Sequence, residues 1–177
     1  MKKKWIKSFI AITADKWARD DLSSNGILPY TGWLAGMSDS EIRKMEKNFG
    51  FKFPGDVKIL LSVTKGPDKK QKQVGYMGEK EITKLIDNWH LNPQRINDTV
   101  KFMKSWLNED TYRVIKEENL ISTATQQHFF LLPIFGHRFI VCDQNNPSIS
   151  LVLSIYDNDI VTYGKDLRDY LTNEFLQ

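Results

Sequence analysis

Cysteine and histidine are scarce in this 177-residue chain, which has one Cys and three His. A single thiol cannot form an internal disulfide, and Cys142 lies in an apolar run where a buried thiol acts as a small hydrophobic side chain. His90, His128 and His137 do not fall at the spacings of a zinc site. The composition therefore predicts a cytoplasmic protein that uses no disulfide, metal or cofactor.

Long apolar runs are also missing. The mean hydropathy of −0.44 argues against an integral membrane protein, so we predict no membrane span. The basic N-terminus resembles the start of a signal peptide, but Lys7 interrupts the apolar stretch and charged residues follow from Asp15 onward. Apolar residues at near-helical spacing predict an amphipathic helix docked on the domain: Trp5, Phe9, Ile12 and Trp17. A membrane-surface helix is the alternative.

Short catalytic motifs are absent as well. There is no Gly-x-Ser-x-Gly nucleophile elbow, and the basic stretch 65–73 lacks the glycine spacing of a phosphate-binding loop, so it predicts a solvated surface turn. Asp157 and Asp159 flank one residue, but in a hairpin turn such carboxylates usually cap backbone amides. We predict that the protein is not an enzyme. An enzyme using His137 and an Asp is an alternative that requires a deep pocket joining them.

Charge is unevenly distributed along the chain, although the net charge is only +3. Residues 1–106 hold 20 of the 25 Lys and Arg and 12 of the 22 Asp and Glu, a net charge of +8. Residues 107–177 hold 5 basic and 10 acidic residues, a net charge of −5. This asymmetry predicts a molecule that is steered toward a charged partner. The overall basicity is too small to indicate nucleic-acid binding.

The main body opens with strong helix signals. Ser38 and Glu41 form a capping box, and Gly50 is placed to end the first helix in the left-handed conformation. Pro54 suits the first position of a second helix. Farther on, mixed three- and four-residue spacings over 79–118 predict two helices that break near Pro93, followed by a third short element.

The apolar period changes in the last third of the chain. Short apolar runs flank Gly136-His137-Arg138, and a second pair flanks residues 157–159, so both predict β-hairpins. A terminal helix with one apolar face follows from Leu167. We predict a single α+β domain with an antiparallel meander sheet packed with helices. Residues 1–36 form an N-terminal helix and irregular connection, and residues 37–177 form the main domain.

Two tracts resemble the SUKH superfamily of Smi/Knr-type domains. The tract from Ser38 to Asp56 is similar to the family's paired opening helices and their Gly-aromatic-x-aromatic-Pro corner, here Gly50-Phe51-Lys52-Phe53-Pro54. The stretches 132–140 and 154–164 resemble its central hairpins. These stretches together hold 39 of the 177 residues. The sequence departs from the family after the second helix, where Lys65-Gly66-Pro67 replaces a Gly-rich loop.

The resemblance implies a SUKH-like fold and a non-enzymatic protein-binding function, that of a bacterial immunity protein that neutralises a cognate toxin such as a nuclease or deaminase. A regulatory or scaffold protein of the same fold is the alternative, because the family's founding relatives include a fungal cell-wall synthesis regulator. The expected partner is a protein, with no direct nucleic-acid contact. The candidate partner-binding residues are His137, Arg138, Asp157, Asn158, Asp159, Tyr30 and Trp33. The resemblance also implies that Arg138 pairs with an acidic neighbour.

Overall fold

The computed structural model describes residues 1–19, 26–77, 79–117, 120–121, 128–157 and 159–177, with the side chains of Tyr76 and Lys104 excepted. Within these residues the chain is a mixed α+β domain, as predicted. In chain order its elements are α1 (Lys3–Arg19), β1 (Trp33–Ala35), α2 (Asp39–Phe49), α3 (Gly55–Leu61), β2 (Thr64–Pro67), β3 (Gln71–Met77), β4 (Lys80–Ile86), a 3-10 turn (Pro93–Arg95), α4 (Ile96–Trp106), α5 (Glu109–Glu117), β5 (Phe129–Phe135), β6 (Arg138–Asp143), β7 (Val152–Tyr156), β8 (Asp159–Gly164) and α6 (Leu167–Phe175).

The central sheet is the predicted antiparallel meander, with strand order β5-β6-β7-β8. It is buried on both faces because its strands are apolar at consecutive positions, and successive side chains point to opposite sides. Ile140 and Cys142 on β6 face one core, whereas Phe139 and Val141 face the other. Helices therefore have to cover both sides of the sheet.

Four helices cover the first face. Their buried side chains join one cluster with the sheet: Ile6, Phe9 and Trp17 of α1, Ile42, Met45 and Phe49 of α2, Val57, Leu60 and Leu61 of α3, and Leu167, Tyr170, Leu171 and Phe175 of α6. The second face is covered by side chains of α4 and α5, including Trp106 and Ile115. Burial of each such side chain contributes about 1.5–3 kcal/mol to folding.

The opening pair of helices forms as the sequence predicts. The Glu41 amide donates to the Ser38 hydroxyl, and the Glu41 carboxylate accepts from the Ser38 amide, so the capping box at α2 is present. Gly50 ends α2 at φ 82°. α3 begins at Gly55, so Pro54 is its N-cap and lies one residue before the first helical position, which the sequence predicted for it. Phe51 and Phe53 between them are buried. The corner thus turns the chain sharply and inserts two aromatic rings into the interior.

The N-terminal helix docks on the domain, as predicted, but it is rotated from the expected face. Ile12 is 55% exposed, and Thr13 is buried in its place. The Thr13 hydroxyl donates to the Phe9 carbonyl at 2.9 Å and accepts from Trp33 Nε1 at 2.9 Å. These bonds satisfy a polar group that the apolar pattern alone does not place inside.

Residues 80–86 were predicted to be helical, and that prediction is wrong. They form β4, which pairs with β3 in a two-stranded hairpin. Its side chains are exposed or half-buried at every position, so no buried face imposes an alternating pattern on the sequence. The helix predicted after Pro93 and the short third element are present as α4 and α5.

Two further loops contain strands that the sequence did not indicate. Residues 65–73, predicted to be a surface turn, contain most of β2 and the start of β3. The connection that ends at residue 36, predicted to be irregular, contains β1, which pairs with β2. None of the helices in the described part of the chain combines the length and apolar character needed to cross a bilayer.

Candidate functional site

Two hairpin turns of the meander lie at the same end of the central sheet. The β5–β6 turn contains Gly136 and His137, and the β7–β8 turn contains Asp157. Because β6 and β7 are neighbours, Arg138 pairs with Ser154, and the rings of His137 and Tyr156 lie 5.8 Å apart. The sheet thus brings His137, Arg138 and the β7–β8 turn to one edge, which sequence separation alone does not require.

Arg138 is the central side chain of this edge. Its Nε donates to Glu174 Oε2 at 3.3 Å, and its Nη1 donates to the Ser154 hydroxyl at 2.6 Å and contacts His137 Nε2. The guanidinium also lies 3.8 Å from the centroid of the Tyr163 ring, a cation-π contact. The side chains of Arg138 and Glu174 are only 14% and 10% exposed, so the predicted acidic partner of Arg138 exists and the pair is largely desolvated.

His137 is poised as a neutral acceptor for Arg138. The pKa of His137 is lowered, mainly because the ring is partly buried and also because the positive charge of Arg138 is close. A neutral imidazole that carries its proton on Nδ1 can accept a hydrogen bond at Nε2 from the guanidinium, whereas a protonated imidazole cannot. The local electrostatics therefore keep this histidine uncharged at neutral pH.

A polar cleft of about 400 Å³ opens beside this pair. Its described lining residues are Asn88, Phe135, Gly136, His137, Arg138, Tyr163, Asn173 and Glu174. Neither Asp157 nor Asp159 is among these residues, so within the described chain the cleft does not join His137 to an aspartate. No group of three metal-ligating side chains occurs among the residues that the structure describes.

The β7–β8 turn presents an exposed surface next to the cleft. Tyr156 is 60% exposed and Val161 is 47% exposed, and the carboxylates of Asp157 and Asp159 face solvent. Asp157 has φ 51°, the left-handed geometry that the turn sequence predicts. Asn158, the third candidate of this turn, lies outside the described residues. We call Tyr156, Asp157, Asp159 and Val161 the acidic turn surface.

The other two candidates occupy different environments. Tyr30 is 74% exposed and has φ 58°, and its amide donates to the Trp17 carbonyl at 3.0 Å. Trp33 is half-buried, stacked on Trp17 with ring centroids 5.3 Å apart and edge-on to Trp89 at 5.7 Å. Tyr30 therefore offers an aromatic ring to solvent, while Trp33 mainly fills the interior.

Residues 88–90, which precede α4, are hydrogen-bonded to the β5–β6 turn and to the end of β5. The Gly136 amide donates to the Asn88 carbonyl at 2.9 Å, and the His90 amide donates to the Ile134 carbonyl at 2.9 Å. The His90 ring is also 2.9 Å from the Gly136 carbonyl oxygen and stacks on Phe102 at 4.5 Å. Burial lowers the pKa of His90, which suits a neutral packing role. These bonds hold the rim of the cleft in place.

Sequence reasoning missed four residues of this edge: Ser154, Tyr156, Tyr163 and Glu174. Glu174 comes from α6, 36 residues beyond Arg138, and only the packing of α6 on β8 brings it near. Of these, Tyr156 has a signal in the sequence, because it is an aromatic residue beside a predicted hairpin turn and aromatic residues are enriched at interfaces.

Nearby, Tyr170 is fully buried, and its hydroxyl has no hydrogen-bond partner among the described residues. The pKa of Tyr170 is raised well above its usual value, mainly by burial and also by the nearby negative charge of Glu174. The phenol is therefore neutral and packs as part of the core beneath the Arg138–Glu174 pair.

Comparison with protein-family models gives no match for the chain, and comparison with curated proteins gives none either.

Proposed function

We propose that the protein is a cytoplasmic immunity protein that binds a bacterial toxin domain and neutralises it without chemistry of its own. The observation that carries this proposal is the acidic turn surface, which places an exposed aromatic ring and two carboxylates on a rigid sheet edge. Interfaces depend on a few aromatic and charged anchors surrounded by a rim that excludes water. The resemblance of residues 38–56 and 132–164 to SUKH domains supports the same proposal.

Rigidity favours a binding role for this edge. The acidic turn surface lies on β7, β8 and the turn between them. The strand side chains Ile155 and Ile160 are buried, and the Arg138–Glu174 pair lies beside the adjacent cleft. A preorganised surface loses little conformational entropy when a partner binds. The arrangement suits tight recognition of a folded protein.

The charge of the surface indicates the charge of the partner. Asp157 and Asp159 are exposed, and residues 107–177 carry a net charge of −5. Toxin domains that act on nucleic acids need basic surfaces to bind phosphates. An acidic face can therefore both steer and mask the basic face of a nuclease or deaminase.

The first experiment co-expresses the chain with the protein encoded by the neighbouring gene, followed by co-purification and a growth-rescue assay. We expect a stable complex and rescue from toxicity. We also expect Asp157→Lys together with Asp159→Lys to weaken the affinity by at least about tenfold, because two attractive charges become repulsive ones.

A matched control reverses two exposed carboxylates on α1 and α2, Asp15→Lys with Asp39→Lys, so that net charge changes equally. This control should retain affinity. Equal affinity of the turn variant and the unchanged protein for a confirmed toxin would contradict the assigned surface. Failure to bind any neighbouring product would contradict the immunity role itself.

A further inference from the structure

The hairpin of β3 and β4 extends from the domain as a separate two-stranded arm. Its register runs from Gln71 opposite Ile86 to Met77 opposite Lys80, and no other described strand joins it. We call residues 71–77 and 79–86 the hairpin arm. An isolated two-stranded hairpin is marginally stable in water, so an arm of this length gains stability when another surface covers it.

Exposed apolar side chains occur on both faces of the hairpin arm. Val74 is 45% exposed and Leu85 is 55% exposed on one face, and Met77 is 70% exposed on the other. Single exposed apolar residues are ordinary, but Val74 and Leu85 are diagonal neighbours across the two strands and form one small apolar patch. The arm is therefore a candidate for docking rather than a passive loop.

The outer edge of β4 has backbone groups available for pairing. The Lys72 amide donates to the Gly26 carbonyl at 2.7 Å, so the backbone groups of Lys72 point away from β4. Lys72 lies opposite Leu85, and in an antiparallel pair the outward-pointing residues lie opposite one another and alternate. The amides of Glu81, Thr83 and Leu85 therefore point outward, and no described residue accepts from them.

Side-chain charge selects the kind of strand that this edge accepts. On one face Lys80 and Lys84 flank Ile82, and all three side chains are exposed or half-buried. A second copy of the chain, added edge to edge about a two-fold axis, would place the lysines of both copies on one face. Like charges across a sheet are destabilising, whereas opposite charges stabilise the pair.

We propose that the outer edge of β4 binds an extended acidic segment of a partner protein by strand addition. Two carboxylates of the added strand pair with Lys80 and Lys84, and an apolar residue between them covers Ile82. The exposed Leu85 on β4 favours a protein strand over a nucleic-acid backbone, because phosphates offer no apolar contact. This proposal is independent of the proposed function, which concerns a different surface.

The test uses a synthetic peptide that follows the register of β4, acetyl-Val-Glu-Thr-Val-Thr-Glu-amide, added to the full chain at physiological salt. We expect its binding to shift the backbone amide resonances of residues 80–86. A peptide with Lys in place of both Glu should bind about tenfold more weakly, since both charge pairs become repulsive. Methylation of the two Thr amides should abolish binding, because those groups face β4.

Three variants of the protein sharpen the test. Thr83→Pro removes an outward amide while leaving the pairing with β3 intact, since proline is tolerated on edge strands, and it should abolish binding. Lys80→Glu with Lys84→Glu should reverse the preference in favour of the Lys peptide. Lys3→Glu with Lys7→Glu changes net charge equally on α1 and should leave the preference unchanged.

Several outcomes would overturn the proposal. One is undiminished binding of the amide-methylated peptide, or of the acidic peptide to Thr83→Pro with its hairpin intact by NMR. Another is the absence of shifts at 80–86 up to millimolar peptide. A third is that a single-stranded oligonucleotide binds more tightly than the acidic peptide and binds the Thr83→Pro variant equally well. That result would show that the arm is a polyanion site instead.

Discussion

At the scale of single residues, Glu46 connects the two opening helices. Its side chain is 4% exposed, and its carboxylate accepts from the Phe53 amide at 2.9 Å and pairs with Lys58 at 3.1 Å and Lys52 at 3.3 Å. Burial acts to raise the pKa of Glu46, but these hydrogen bonds and charges outweigh it, so the pKa is lowered. The carboxylate thus fastens the aromatic corner to α2.

Replacing Glu46 with Ala should lower the free energy of unfolding by about 2 kcal/mol, because the buried Phe53 amide loses its acceptor. Chemical denaturation at pH 7 measures this, with Glu109→Ala, an exposed carboxylate, as the near-neutral control. Because the folded pKa lies below the usual 4.5, the charge-dependent part of this contribution is present above pH 4.5 and is lost as pH falls through the lowered folded value. A difference between the two proteins that persists undiminished at pH 2 would contradict this account.

At the scale of elements, the approach of β2 to the segment before α4 depends on a glycine. Gly66 has φ 119°, and a Cβ placed there would lie 2.3 Å from the Trp89 ring. Trp89 is buried and forms an isolated bridge with Phe135 at the rim of the cleft. This contact therefore joins the β1–β2 pair to residues 88–90, which are hydrogen-bonded to the β5–β6 turn.

Gly66→Ala should destabilise the protein by about 2 kcal/mol or more, because the substitution combines backbone strain with a clash against an aromatic ring. Thermal or urea denaturation checks the change. Gly55→Ala is the matched control, since nothing lies within 4 Å of its Cβ position in α3, and it should be neutral or slightly stabilising. Equal stability of the two variants would show that Trp89 moves aside freely.

Prediction of the elements succeeded where local chemistry decides the structure. The capping box, Gly50, the two hairpins of the meander and α6 were all read correctly from short-range signals. β4 was misread because Ile82, Leu85 and Ile86 have helix-like spacing, and its exposed faces give no alternating signal. The two hairpin turns of the candidate site could be predicted from the sequence. The role of Glu174 could not, because its contact with Arg138 depends on the packing of α6.

At the scale of the whole molecule, the N-terminal segment shares the main core. Trp17 is 1% exposed and contacts Trp33 and Phe175, and Phe9 also contacts Phe175 of α6. The first and last helices therefore pack on one another. A core assembled from both ends of the chain should unfold in one cooperative transition.

Trp17→Ala should cost about 3–5 kcal/mol, as expected when a buried indole leaves a cavity. The measurement compares the unfolding midpoints from far-ultraviolet circular dichroism and tryptophan fluorescence, which we expect to move together. Ile12→Ala on the exposed side of α1 is the control and should change stability little. Separate transitions by the two probes would contradict a shared core.

The sequence by itself determined the class of the fold, the position of the meander and the helix caps, because composition, period and turn residues act over short distances. Only the tertiary structure decided which face of α1 is buried, that residues 80–86 pair as a strand, and that Arg138 meets Glu174, Ser154 and Tyr163. The physical reason is that these contacts depend on how distant elements pack, and a side chain's partners across the core are not encoded in its neighbours along the chain.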